Sequence, residues 1–255
     1  MPKIPERLQY LHQAEEELHE RTIELVTANE DLTDHLDIME RAMNVLDVLR
    51  KQNASGDEDE RTVALLGIRV FNSFATAWKL TASGYYQAGT MILRDVLETT
   101  NLVNAFLADP ALIEQWRKAD RKSLLNDFGP ATIRRLLDDR QGQGKSRRGE
   151  IYAMFCSLGT HPTAEGFALL RPRGLDAHIG PFVDITALRA VLEEVGKLAA
   201  QAGSTFCVSF DGSQDGTDAA SHRFMLGAMD YFGKYIGNPF SPERRAEIER
   251  LFGEK

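Results

Sequence analysis

The first fifty residues carry an apolar side chain at every seventh position. This row consists of Leu11, Leu18, Leu25, Leu32, Met39 and Leu46. A strict seven-residue repeat drifts around a straight α-helix and keeps one seam only where the helix winds around a partner. Because neither proline nor glycine occurs between Pro5 and Asn53, the pattern predicts one continuous helical arm, residues 1–53, about 70 Å long.

The second row of the seam is weaker and indicates that the two halves of the arm differ. It consists of Leu8, Glu15, Thr22, Asn29, Leu36 and Met43. Glu15 and Thr22 suit a coiled-coil core poorly, whereas an asparagine such as Asn29 can fix its register. After Leu32 the stripe widens to include Ile38, Val45, Val48 and Leu49, as on a helix buried against a larger core. We therefore expect the start of the arm to be free or paired in a homodimer, and its end to pack on the body.

The remainder of the chain predicts a helical body over residues 58–255. Helical spacing of apolar residues, interrupted by glycine and proline, predicts helices over 61–81, 85–107, 111–119, 130–139, 148–158, 185–202, 219–236 and 242–252. Residues 205–210 fit either a short strand or a continuation of the preceding helix. Strand patterns are otherwise nearly absent, so we expect an all-α fold: a helical bundle with a long, coiled-coil-like N-terminal helix.

Charge is distributed unevenly along the chain. Residues 1–60 contain 6 Lys/Arg and 16 Asp/Glu, a net charge of −10, whereas the whole chain has −8. Residues 117–148 contain 10 Lys/Arg and 4 Asp/Glu, a net of +6. This basic segment is either a solvated or intersubunit face, across which the acidic arm could lie, or a nucleic-acid site. Its candidate phosphate-binding residues are Arg134, Arg135, Lys145 and Arg147.

Composition excludes several other classes of protein. No apolar stretch approaches the ~18 residues of a membrane-spanning helix, and no apolar secretory segment follows Met1, so we expect a cytoplasmic protein without membrane contact. Cys156 and Cys207 are far apart, which favours buried, reduced thiols. No spacing of histidine, cysteine or carboxylate residues predicts a metal site, and we expect no cofactor. Residues 139–146 and 211–218 imitate phosphate-binding and calcium-binding loops incompletely, and we interpret both as ordinary loops.

Two predicted helices carry candidate chemistry. Arg94 and Glu98 are four residues apart on one helix face, where an ion pair is usually structural. Tyr152, Ser157 and His161 follow on another helix, and His161 lies just beyond its C-terminal end, where a histidine can cap free carbonyls.

The same residues carry a family resemblance. The pattern Arg94-x-x-x-Glu98, then Asp109-Pro110, Trp116, Tyr152, Ser157 and His161-Pro162 resembles uncharacterised bacterial helical proteins similar to the HEPN superfamily, over roughly residues 60–170. The resemblance implies either a non-catalytic binding module or a metal-independent RNA-cleaving toxin or defence protein. Catalytic members have an arginine four to six residues before the histidine, which His161 lacks.

Two functional hypotheses follow. The first is a self-associating binding or interaction module, with RNA or a protein as its partner. The second is an RNA-directed effector in which His161 is the general acid or base and Arg94 or Arg148 stabilises the phosphate, with Glu98 and Tyr152 as further candidate site residues. The missing catalytic motif favours the first.

Overall fold

All regular secondary structure is helical in the part of the chain that the structure describes. This computed structural model describes residues 4–52, 56–142, 147–172, 176–209, 217–237 and 239–253, and no strand occurs among them. The α-helices are α1 Glu6–Thr27, α2 Glu30–Gln52, α3 Glu58–Ala82, α4 Tyr86–Ala108, α5 Ala111–Lys118, α6 Arg121–Asn126, α7 Pro130–Arg140, α8 Arg147–Phe155, α9 Ile185–Cys207, α10 Thr217–Tyr231 and α11 Pro242–Gly253. The all-α prediction is confirmed.

Four long helices enclose the core. α2 packs against α3 and α9, and α4 packs against the same two helices from the other side, so the four form a closed ring. Their inner faces and α10 supply most of the large, fully buried side chains, among them Leu32, Leu46, Phe74, Tyr86, Phe106, Phe206 and Phe224. Such a bundle buries one apolar stripe from each helix, which is why α2 shows a widened stripe.

The N-terminal segment consists of two helices, so the prediction of one continuous helical arm over residues 1–53 is wrong. α1 ends at Thr27 and α2 begins at Glu30. Asn29 lies at the break, where its side-chain amide donates to the carbonyl of Leu25 at 2.9 Å and its backbone carbonyl accepts from the amides of Leu32 and Thr33 in α2. Asparagine competes for backbone hydrogen bonds in this way and favours helix ends. Asn29 therefore ends a helix here instead of setting a coiled-coil register.

The two halves of the heptad row lie in different environments. Leu32, Met39 and Leu46 of α2 are buried, with exposed fractions of 0%, 7% and 1%, so the predicted packing of the second half on the body is confirmed. α1 runs along α2 and α3, where Glu15 accepts a hydrogen bond from the hydroxyl of Tyr85 at 2.7 Å. Burial, helped by that carboxylate, raises the pKa of Tyr85 to about 12.

The first turns of α1 extend past this contact. Ile4, Leu8 and Leu11 have exposed fractions of 65%, 54% and 38%, although they continue the seam that packs on the body farther along. Ile4 lies just before α1, and the spacing of three residues places Leu8 and Leu11 on one face of that helix. We call Ile4, Leu8 and Leu11 the N-terminal stripe.

The described carboxylates of α1 and α2 pair with cations outside the basic segment 117–148, whereas Glu58 and Asp59, at the start of α3, pair with Arg117. Glu16 pairs with Lys79 at 3.0 Å, and Asp34 pairs with Lys234 at 2.8 Å. In the basic segment, Arg117 instead pairs with Asp59 at 2.6 Å. Within one chain, the described ion pairs thus do not support an arm lying across residues 117–148.

Helix ends follow local sequence. Asp57 caps α3, because its carboxylate accepts from the amides of Asp59 and Glu60 at 2.8 and 2.9 Å. In return, the Glu60 carboxylate accepts from the Asp57 amide at 3.0 Å. This capping box satisfies amides that the helix itself leaves free. Residues 205–207 continue α9, so the strand alternative is wrong there; residue 210 lies outside the described residues. The short helix α6 was not predicted.

Two helices change pitch before they end. α8 passes into a π-helical turn, Cys156–Thr160, and α10 passes into another, Phe232–Ile236. The first turn approaches α4 so closely that a Cβ on Gly159 would lie 2.9 Å from the amide nitrogen of Met91. A glycine is needed at such an approach. The second π turn lines the larger of the two hollows described next, in keeping with the frequent occurrence of π turns near functional sites.

None of the described helices is both long and apolar enough to cross a bilayer. Cys156 and Cys207 are free and partly buried, and burial raises the pKa of the Cys207 thiol to about 12.

Candidate functional site

Four of the sequence-predicted site residues meet between α4, α7 and α8. The Nε of Arg94 donates to Glu98 at 2.7 Å, with side-chain exposures of 23% and 29%. The guanidinium carbon of Arg94 lies 5.1 Å from the ring centroid of Tyr152, and that of Arg134 lies 3.9 Å from it. Tyr152 is therefore held by two cations within cation–π distance.

The charges of this cluster stabilise the Arg94–Glu98 ion pair. Burial alone would lower the pKa of Arg94, but the hydrogen bond and charge of Glu98 outweigh it and raise the pKa. Burial and the charge of Glu98 raise the pKa of Tyr152. The tyrosine is thus a neutral hydroxyl and Arg94 a fixed cation at neutral pH, which makes both poor proton-transfer groups.

A small cavity of about 260 Å³ opens beside the cluster, lined by residues of α3, α4, α5, α7 and α8. Its polar wall contains Arg69, Asp95, Glu98 and Arg134. Its apolar wall includes Leu66, Leu102, Trp116, Phe128, Ile133 and Tyr152. We call this space the small cavity.

A second and larger hollow of about 1000 Å³ lies where α7 and α8 face α9 and the π turn Phe232–Ile236. We call it the large cleft. Four cationic side chains line it, Arg140, Arg147, Arg148 and Lys197, together with Glu150 and Glu194. Phe232 and Tyr235 provide aromatic surface in the same wall.

The polar wall of the large cleft comes from one face of α9. Glu194, Lys197, Gln201, Ser204 and Thr205 line it. Their spacings of three and four residues correspond to a single helix face. In the sequence such a face is indistinguishable from an ordinary solvated surface, so it was not predicted as part of a site.

Neighbouring carboxylates neutralise part of the positive charge of the large cleft. Arg148 donates to Asp138 at 2.7 Å, and Lys197 pairs with Glu194 at 2.6 Å. Arg147 has no carboxylate partner among the residues that the structure describes. At the far wall, burial and a hydrogen bond to Asp34 raise the pKa of Tyr235 to about 12. Arg140, at the end of α7, pairs with Asp109 at 3.5 Å, so within the described residues the cleft-lining cation without a carboxylate partner is Arg147 on α8.

His161 lies away from both hollows. It follows the π turn, where its amide donates to the Cys156 carbonyl at 2.8 Å, and its side chain is exposed. It lines neither the small cavity nor the large cleft. The nearby Ser157 and Thr163 shape the turn, because the hydroxyl of Thr163 donates to the carbonyl of Ser157 at 2.6 Å.

The structure thus separates the candidate residues into groups. Arg94, Glu98, Tyr152 and Arg134 are together, Arg147 and Arg148 are in the large cleft, and His161 is in neither. Arg135 is exposed and lines neither hollow. Lys145 lies outside the described residues, as do residues 143–146 and 211–216 of the two loops at 139–146 and 211–218.

Comparisons with family models, with curated proteins and with solved structures gave no match. The HEPN-like resemblance therefore stays a prediction, and functional inference depends on the chain's own geometry.

Proposed function

We propose that this protein is a self-associating binding module that forms a homodimer through the start of α1. The observation that carries the proposal is the N-terminal stripe. Leu8 and Leu11 are exposed on one face of α1 and Ile4 is exposed just before it, whereas the later seam residues on α2 are buried in the body. A second copy of the same stripe would complete a short, coiled-coil-like pair.

The partner is a second copy of the chain because the stripe continues a heptad seam. Two such seams are complementary to each other when they pair along their length. The stripe is short, so it buries less than the roughly 1,600 Å² of a standard stable interface. The proposed dimer is consequently weak and depends on protein concentration. It forms in the cytoplasm, the compartment that the sequence predicts.

Charge gives this dimer a distinctive dependence on salt. α1 contains six Glu against Arg7 and Arg21, a net charge of −4 before its histidines are considered. Two paired copies of α1 repel each other, and salt screens that repulsion over about 10 Å at 0.1 M. Self-association should therefore strengthen as salt is added, whereas binding to nucleic acid weakens.

The test compares the full chain with variants on α1. Removing residues 1–57 is unsuitable because α2 is part of the core. The double substitution Leu8→Glu with Leu11→Glu places charge in the stripe, and Ile23→Glu, on another face of α1 and 41% exposed, is the matched control. Sedimentation equilibrium of the wild type and Ile23→Glu should give a mass approaching twice 28.5 kDa at high concentration, and the double variant should stay monomeric. A monomeric wild type overturns the proposal.

A second candidate function is RNA binding in the large cleft, in line with the HEPN-like resemblance. The observation that favours it is the set of four cations beside Phe232 and Tyr235, because single-stranded nucleic acid is held by cations along its backbone and by aromatic stacking. The position of His161 outside the cleft favours binding over cleavage.

Fluorescence anisotropy with a short single-stranded RNA tests this candidate. Arg147→Ala should weaken binding and reduce its salt dependence, whereas Arg61→Ala, an exposed arginine on α3 outside the cleft, should not. Equal affinities for both variants would refute the candidate. RNA cleavage by the wild type that is lost in His161→Ala would instead support the effector hypothesis.

A further inference from the structure

The small cavity has the size and enclosure of a site for a compact ligand. Its volume of about 260 Å³ is just below the range of roughly 300–1,000 Å³ typical of sites for drug-sized molecules. It shares no lining residue with the large cleft and does not include the N-terminal stripe. A small molecule bound there would be a ligand that neither of the functions proposed above requires.

The walls of the small cavity favour a flat, apolar body. Trp116, Phe128 and Tyr152 line it from α5, the segment before α7, and α8. The Trp116 ring is held edge-on to the buried Phe106 ring, with centroids 5.9 Å apart. Aromatic rings pack well against such walls in offset-stacked and edge-to-face geometries.

The charges of the small cavity leave one cation without a carboxylate. Asp95 accepts from Arg69 at 3.0 Å and from Ser73 at 2.8 Å, which satisfies that acid. Glu98 is paired with Arg94. Within the described part of the chain, Arg134 has no carboxylate partner.

Arg134 also has an unsatisfied donor. Its Nη1 atom is buried without a hydrogen-bond acceptor, while the guanidinium lies over the Tyr152 ring. A buried guanidinium nitrogen without an acceptor is costly, and a carboxylate is the strongest acceptor available to it. Arg134 also lines the small cavity, so a carboxylate bound there would supply an acceptor to this guanidinium.

We propose that the small cavity binds a carboxylate attached to a single aromatic ring, with the carboxylate on Arg134 and the ring against Trp116, Phe128 and Tyr152. A singly charged ligand is required because Asp95 and Glu98 line the same cavity. A phosphate dianion would meet both acids while leaving the aromatic walls uncovered.

The chain provides its own reporter for the test. It has two tryptophans, and Trp78 lies elsewhere, next to His19 with ring centroids 6.3 Å apart. In a full-length Trp78→Phe protein the fluorescence comes from Trp116 alone. Titration with benzoate should give a saturable change, with benzyl alcohol, acetate and inorganic phosphate each binding at least tenfold more weakly. Calorimetry on the wild type should give the same order.

Substitutions at adjacent arginines assign the carboxylate to its partner. Arg134→Gln should weaken benzoate binding at least tenfold, whereas Arg135→Gln, at the exposed neighbouring position, should leave it unchanged. Circular dichroism confirms that each variant folds, and Arg134→Lys, which keeps the charge, should retain part of the affinity.

Three results would overturn the proposal: no saturable change with benzoate, equal binding of benzoate and benzyl alcohol, or equal binding of benzoate and phosphate. The comparison of these ligands needs no substitution at Arg134, so it decides the matter even if Arg134→Gln does not fold.

Discussion

A leucine-to-alanine substitution should have very different effects on the free energy of unfolding at two positions of the heptad row. Leu32 and Leu11 belong to the same seven-residue repeat, but Leu32 is 0% exposed and Leu11 is 38% exposed. Leu32→Ala removes a fully buried side chain and leaves a cavity between α2 and its neighbours, which costs about 2–5 kcal/mol. Leu11→Ala removes a side chain that solvent already reaches, so its cost to the monomer should be below about 1 kcal/mol.

Urea unfolding followed by far-ultraviolet circular dichroism measures both costs. The protein concentration must be low enough that the chain is monomeric, because association would otherwise add to the stability of the wild type. A loss of about 3 kcal/mol in Leu32→Ala corresponds to a fall in melting temperature of roughly 6–12 °C for a chain of this size. Similar losses for the two variants would show that α1 and α2 are packed alike, and would refute the division of the seam.

Two further predictions concern buried contacts in the core. The Nδ1 of His35 lies 2.9 Å from the Tyr231 hydroxyl, and burial lowers the pKa of His35. The neutral histidine therefore contributes its full stabilisation above the unfolded-state pKa of about 6.5, and this contribution is lost as the pH falls below that value. Urea unfolding between pH 7.5 and 5 should show this loss, by at most about 1.4 kcal/mol per pH unit, and His35→Gln should show a shallower dependence; equal slopes would contradict the account. Gly203→Ala should destabilise the protein by about 2 kcal/mol or more, since the new Cβ would collide with the fully buried Phe224 ring; an unchanged melting temperature would show that the ring can move aside.

Much of the fold could be predicted from the sequence because helix periodicity is a local property. The predicted bounds 85–107 and 111–119 agree within a residue or two with α4 and α5. The break at Asn29 could not be predicted with the same ease. An asparagine in a heptad seam suits either a coiled-coil register or a helix end, and the choice depends on the body against which α1 and α2 pack.

Less of the candidate site than of the fold could be predicted from the sequence. Arg94 and Glu98 could be paired from their spacing, because positions four apart share a helix face. The approach of Arg134 to Tyr152 joins α7 to α8 through tertiary packing that spacing does not encode. Lys197 was missed for the same reason, since the polar face of α9 becomes part of a cleft only where α7 and α8 pack opposite it.

Self-association through the N-terminal stripe is the central claim, and one measurement tests it most directly. Sedimentation velocity of the full chain over a range of concentrations, at low and high salt, should show a monomer–dimer equilibrium that shifts toward dimer as salt rises. The variant carrying Leu8→Glu and Leu11→Glu should remain monomeric throughout. A wild-type protein that stays monomeric at every concentration, or a dimer that persists unchanged in the double variant, would contradict the account.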